Sequence, residues 1–288
     1  FEEPTTARFP HFQRLANSWK APGWDYRLYN DDDCAKFIRE NYPQRFVDAF
    51  NAIIPGAFKA DLFRLLVLFK EGGIYADVDV QLDSNLDFFI TKDLSLFIPR
   101  DVPVDYWPNS NFCLWNGLMG SAPGHPVLAK AIEDIMTKVR RRADDYDGEG
   151  AMCAKDLESE VWKLRTLPIL ILTGPCALGM SFNAALGVEN VLQGLELGWL
   201  PTVNVSARHE PSSHFWGDVL VLLTDRYDLG ELRFTDVDRN LLVASSNQDR
   251  TAKAPVEYGP APAAPKKKKP VHYSKTETDI VGEFGMYV

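Results

Sequence analysis

Two aspartates separated by a single residue, Asp77 and Asp79, close the run Gly72-Gly73-Ile74-Tyr75-Ala76-Asp77-Val78-Asp79. If the run stays extended, side chains two apart lie on one side, so both carboxylates reach one divalent cation or its waters. A cation held there suits a diphosphate, whose negative charge grows as a glycosyl bond to it breaks. A short way upstream, Asp61 and Arg64 stand three apart, on one face of a helix. A carboxylate for sugar hydroxyls and a guanidinium for phosphate are what a donor-sugar pocket needs. An acidic turn and a plain salt bridge are the structural readings of the same residues. The presence of both pairs within Lys59 to Asp83, around a double glycine, favours the chemical reading.

The elements that must position these groups follow from periodicity. Asp25 to Tyr29 alternates as a strand, and Asn30 then caps a helix with an acidic first turn that runs towards Glu40 and ends before Pro43. Phe58, Leu62, Leu65, Leu66 and Phe69 recur at three- and four-residue spacing, so Ala57 to Lys70 is an amphipathic helix closed by Gly72-Gly73. Ile74 to Ala76 is a short buried strand running straight into the aspartates. Leu94 to Pro99, Leu114 to Gly120, Leu167 to Leu172 and Val219 to Leu223 are further strands, and Val203 to Val205 is extended. Pro126 to Arg142 and Ala177 to Leu186 are helices. Asp83 and Asp87 cap the turn near Phe88. The interleaving predicts an α/β fold with one mixed sheet flanked by helices. Residues 1–245 make a single domain. Past about Val243 the pattern dissolves, and residues 246–288, rich in Ala, Pro and Lys and including Lys266 to Lys269, form a solvated tail.

Composition narrows the class of function. With 31 basic and 40 acidic residues among 288, the net charge is -9, which repels phosphate backbones and excludes non-specific nucleic-acid binding. The four cysteines, Cys34, Cys113, Cys153 and Cys176, are widely spaced without a paired CxxC, so zinc is not expected and their pairing stays open. No apolar run is long enough to span a membrane, and Phe1 to Pro10 has no signal-peptide pattern.

The block Lys59-Ala60-Asp61-Leu62-Phe63-Arg64 with Gly72-Gly73-Ile74-Tyr75-Ala76-Asp77-Val78-Asp79 resembles the DXD signature of glycosyltransferase family 32. That family holds initiating α-1,6-mannosyltransferases and inositol-phosphoceramide mannosyltransferases. Trp24 to Asp31, Asn116-Gly117, Ala122 to Pro126 and Thr173-Gly174-Pro175 resemble further family segments, so the likeness spans roughly residues 10–225. It implies a GT-A, Rossmann-like fold and a retaining, metal-dependent transfer of a hexose. Mannose from a GDP-mannose donor is favoured, with a UDP-sugar as the other candidate, and the acceptor is a hydroxyl of a glycan or glycolipid. Asp77 and Asp79 would hold Mn2+ or Mg2+. The third ligand is expected at a histidine ahead of Trp216, which favours His209 and leaves His214 beside the phosphates. The catalytic set is then Asp61, Asp79 and Asn116, and the donor-binding set Asp61, Arg64, Tyr75, Asp77, Asn116, His214 and Trp216.

Asp101 and Asp105, with Tyr106 and Trp107, are a candidate acceptor edge, and Trp19 is either part of the pocket or core. Family members open with a strand of the type Ile-Pro-Lys-Ile-Ile-His-Gln-Trp, and nothing before Phe9 resembles it. Either the chain is cut from a longer Golgi precursor, which also accounts for an absent membrane anchor and is the preferred expectation, or the first strand is supplied differently, or the protein is impaired. Two rivals use the same residues differently. Asp77-Val78-Asp79-Val80 also fits the nucleophile motif of a haloacid-dehalogenase-like phosphatase, and a non-catalytic nucleotide-sugar-binding protein would keep the pocket without turnover.

Overall fold

The computed structural model describes residues 10–53, 56–102, 110–144, 167–200, 205–206, 214–215, 217–227, 231–247 and 286–287. Helix α1 (Pro10–Ser18) precedes strand β1 (Leu28–Tyr29) and three helices, α2 (Asp31–Asn41), α3 (Gln44–Ala52) and α4 (Gly56–Glu71). Strands β2 (Gly73–Ala76) and β3 (Val80–Leu82) follow, then α5 (Leu86–Phe89), β4 (Leu94–Pro99) and β5 (Leu118–Ser121). Helices α6 (Pro126–Asp144), α7 (Leu167–Leu172) and α8 (Pro175–Ala185) lead to β6 (Gly198–Leu200), β7 (Val205–Ser206) and β8 (His214–Phe215). The described chain ends with β9 (Asp218–Tyr227), β10 (Glu231–Asp236), β11 (Leu241–Asn247) and β12 (Met286–Tyr287).

One sheet organises these elements, in the order β1-β12-β2-β5-β4-β9-β10-β11-β3, with β6 also on β9 and a separate β7-β8 pair. β4 and β9 run parallel while β5 is antiparallel to both β2 and β4, so the sheet is mixed, as expected. Alternation along the central strands divides two apolar layers. Leu96, Ile98, Val219 and Val221 pack against α2, α3, α4, α6 and α8 on one face. Phe97, Leu220 and Leu222 face Val80, Phe89, Phe234, Val243 and Ala244 on the other, where the β10-β11-β3 extension supplies the cover.

Asn30 forms a capping box with Asp33 at the start of α2, as its position before three aspartates predicts. Helix α4 departs from expectation in an instructive way. Every residue from Ala60 to Leu68 is buried, so the helix is surrounded by protein instead of being amphipathic, and it carries Asp61 and Arg64 into the interior. It stops where Gly72, at φ +72, donates its N–H to the Leu68 carbonyl at 2.8 Å.

Four other expectations need correction. Leu167–Leu172 is helical, because a run of six apolar residues has no period with which to tell a buried strand from a buried helix turn. The cap of α5 is Asn85, whose side chain accepts from the Asp87 N–H, and neither Asp83 nor Asp87 fills that role. Regular pairing continues beyond Val243: β11 reaches Asn247 and aligns with both β10 and β3. Within the stretch read as a tail, β12 sits between β1 and β2, pairing Tyr287 with both Leu28 and Ala76.

The centre of the sheet tolerates no added atom at Gly120, where a Cβ would lie 2.0 Å from the Phe97 ring, itself 1% exposed. Gly120→Ala is expected to lower stability by about 1–3 kcal/mol through overpacking, read as a lower urea midpoint at unchanged slope.

Candidate active site

The two aspartates of the Asp77-Val78-Asp79 segment lie in a tight turn and not in an extended run, which corrects the sequence reading. The Val80 N–H donates to the Asp77 carbonyl at 3.0 Å, an i to i+3 closure that sends the chain from β2 back along β3. The turn is tied to its neighbour by the Asp77 N–H, which donates to the Gly117 carbonyl at 2.8 Å. A Cβ at Gly117 would come within 2.6 Å of both Asp77 Oδ2 and the Trp115 ring, so glycine lets the two segments approach closely. Asp77 and Asp79 are both half-buried.

Beneath the turn lies a charged cluster. Arg64, 4% exposed, donates from Nε to the Ala60 carbonyl (3.2 Å) and from Nη1 to the Asn116 carbonyl (2.5 Å). Its Nη2 stands 3.4 Å from Asp61 Oδ1 and 3.5 Å from Asp77 Oδ1, so one guanidinium serves both carboxylates. The guanidinium also lies over the Tyr75 ring, 4.8 Å from its centroid. Tyr75 donates its hydroxyl to Asp77 Oδ1 at 2.6 Å, and burial holds its pKa well above the ordinary phenol value.

Asp61 receives two further hydrogen bonds, from Asn116 Nδ2 to Oδ1 and from Thr173 Oγ1 to Oδ2, each 2.8 Å. Burial pushes its pKa up to about 6, against the opposing pull of Arg64 and Thr173. Burial thus disfavours its charged form, while Arg64 and the two hydrogen-bond donors favour it. The structure thus brings together Asp61, Arg64, Tyr75, Asp77 and Asn116, with Asp79 in the same turn. His209 and Trp216 lie outside the described residues, and of His214 only the backbone, in β8, is described. Asp105, Tyr106 and Trp107 are also outside them, while Asp101 is half-buried with its N–H on the Cys113 carbonyl at 2.8 Å. Trp19 packs with the β3 side of the core and donates its indole N–H to the Val80 carbonyl at 2.9 Å.

Two contributors escaped the sequence reading. In the sequence Thr173 is part of a Thr-Gly-Pro turn, and nothing in its spacing points to a carboxylate 112 residues away. Cys113 and Cys176 are joined as a disulfide, a pairing that spacing alone left open.

The donor set of two oxygen-bearing aspartates in one partly open turn fits a hard divalent cation that keeps water or diphosphate oxygens as its other ligands. Among the described residues no group of three His, Cys, Asp or Glu is placed to hold a metal by itself.

Residues 11–96 match the family model described as the glycosyltransferase sugar-binding region containing DXD motif, which bears out the family-32 resemblance. The match covers both aspartates of the turn together with Asp61 and Arg64, and is to a glycosyltransferase description. The chain's relatives are more specific. The chain is 29% identical over 114 residues, 40% of its own length and 29% of the relative's, to inositol phosphoceramide mannosyltransferase 3 of Schizosaccharomyces pombe. To inositol phosphoceramide mannosyltransferase 2 of the same organism it is 31% identical, over 40% of this chain and 30% of the other. The initiation-specific alpha-1,6-mannosyltransferase of Candida albicans is 28% identical over 44% of this chain and 38% of its own. The chain therefore spans well under half the length of these relatives.

Two outcomes follow from the cluster. Asp61 has its pKa raised to about 6 in the fold, above the unfolded value of about 3.9. Its contribution to stability is then full below about pH 4 and lost as the pH rises through about 6. Wild type should accordingly lose stability relative to Asp61→Asn across that interval in metal-free denaturation series. Arg64→Met leaves two carboxylates without their shared cation and should destabilise by about 3–5 kcal/mol in the same assay.

Proposed function

We propose that this chain is the donor-binding part of a retaining, metal-dependent hexosyltransferase that moves mannose from GDP-mannose to a hydroxyl of a glycan or glycolipid in the Golgi. The observation that carries the reading is the Arg64 guanidinium held between Asp61 and Asp77. It favours the charged form of one buried carboxylate and anchors the other at the turn where Asp79 stands. The match of residues 11–96 and the mannosyltransferase names of the relatives support the same reading.

In this scheme Asp61 accepts from hydroxyls of the transferred sugar and fixes the ring, since its oxygens retain acceptor capacity beyond their three protein partners. Asn116, 7% exposed and bonded to Asp61, borders the same sugar. The donors of Arg64 are directed at protein acceptors, so its part is to hold Asp61 and Asp77 in place rather than to grip phosphate. Tyr75 does the same for Asp77 through its hydroxyl. Asp77 and Asp79, with His209 as the expected third ligand, would hold Mn2+ or Mg2+, which offsets the charge that develops on the departing diphosphate.

The bond from the anomeric carbon to the phosphate oxygen breaks, and one to the acceptor oxygen forms on the same face. The acceptor proton passes to the leaving diphosphate, so no protein nucleophile is called for. Carboxylates already fixed by Arg64, Tyr75, Asn116 and Thr173 need little reorganisation as the sugar becomes cationic.

Asp79→Ala should keep the thermal midpoint within a few degrees while Mn2+-dependent transfer from GDP-mannose falls by roughly a hundredfold or more, followed by release of GDP. Turnover equal to wild type would remove the metal claim.

A further inference from the structure

Asp61 is oriented by two side chains that neither helix α4 nor each other's element controls. Asn116 belongs to the segment between β4 and β5, and Thr173 to the turn between α7 and α8. Both donate at 2.8 Å, one to each carboxylate oxygen. Loops so far apart in sequence hold such distances only if something ties them to one another, because each would otherwise sample its own positions.

A covalent bond supplies that tie. The disulfide Cys113–Cys176 joins a residue three before Asn116 to a residue three after Thr173. Next to it the Leu114 N–H donates to the Pro175 carbonyl at 2.9 Å. Helix α8 also seats directly on the Cys113 segment: a Cβ at Gly179 would come within 1.8 Å of the Phe112 carbonyl oxygen. Phe112, Leu170 and Ile171 pack with the two cysteines as a buried cluster. From α6, Lys138 Nζ donates to the Ile171 carbonyl at 2.8 Å, two residues before Thr173.

We propose that Thr173 and the Cys113–Cys176 disulfide form a positioning device for the Asp61 carboxylate, clamping the two loops that donate to it so that it meets the donor sugar in one orientation. This rests on the reading of Asp61 as the sugar-binding carboxylate. A carboxylate held from both oxygens keeps a single plane and direction, whereas one held only by Arg64 can rotate about its last bond. Opening the clamp needs a dithiol: two electrons and two protons pass to the sulfurs, and the reductant leaves as its cyclic disulfide.

The test compares full-length wild type with Thr173→Val, Thr173→Ser and the Cys113→Ala/Cys176→Ala pair. It uses two readouts, mannose transfer with Mn2+ and hydrogen exchange of the Asn116 side-chain amide by nuclear magnetic resonance. Thr173→Val and the double variant should each lose about tenfold in kcat and exchange the Asn116 amide about tenfold faster, the scale of one hydrogen bond, while Thr173→Ser restores both. Asn116 exchange as slow in the double variant as in wild type overturns the proposal, whatever the activity. Absence of transfer by wild type with any nucleotide sugar would sink the functional reading instead, and the exchange data would still decide the positioning claim. If the double alanine variant does not fold, brief dithiothreitol treatment of native wild type gives the same comparison.

Discussion

A single guanidinium shared by two carboxylates is the constraint on which the rest of this structure depends. Arg64 is almost fully buried, and a charge taken that far from water is tolerated only when opposite charge and hydrogen-bond acceptors surround it. Asp61, Asp77 and the carbonyls of Ala60 and Asn116 meet that requirement from helix α4, the β2-β3 turn and the segment ahead of β5. The three elements are thereby held in one register at the end of the sheet, and the register is what sets the site.

The arrangement also explains why α4 is a helix buried on all sides. An apolar helix could be packed between layers without charge, yet this one brings two ionic side chains into the interior. The cost of desolvating them is visible in the raised pKa of Asp61, which burial drives upward against its neighbours. A buried carboxylate held in one orientation is a poor contributor to stability. Structures that give up stability for such groups do so where chemistry needs them.

Much of the scaffold was legible because its signals are local. The Asn30 cap, the apolar spacing of α4, the double glycine at its end and the alternation of β4 all depend on a few neighbouring residues. The pairing of Asp61 with Arg64 followed from helical spacing alone. What stayed hidden was of another kind. Leu167–Leu172 lacks any period, the hairpin of β10 and β11 is a weak alternating pattern, and the turn at Asp77 to Asp79 is tied to the Gly117 carbonyl of the segment ahead of β5.

By itself, the order of residues determined which groups are available: two aspartates after a short strand, a carboxylate and a guanidinium one helical turn apart, and four cysteines whose pairing it left open. It also determined the kind of chemistry those groups suit, because residue type and short-range spacing are properties of the chain. Only the tertiary structure decided that Arg64 also reaches Asp77, that Thr173 and Asn116 grip one carboxylate, and that Cys113 meets Cys176. Those contacts join residues 13 to 112 positions apart. Their partners are chosen by packing across the sheet and its helices, which no local pattern encodes.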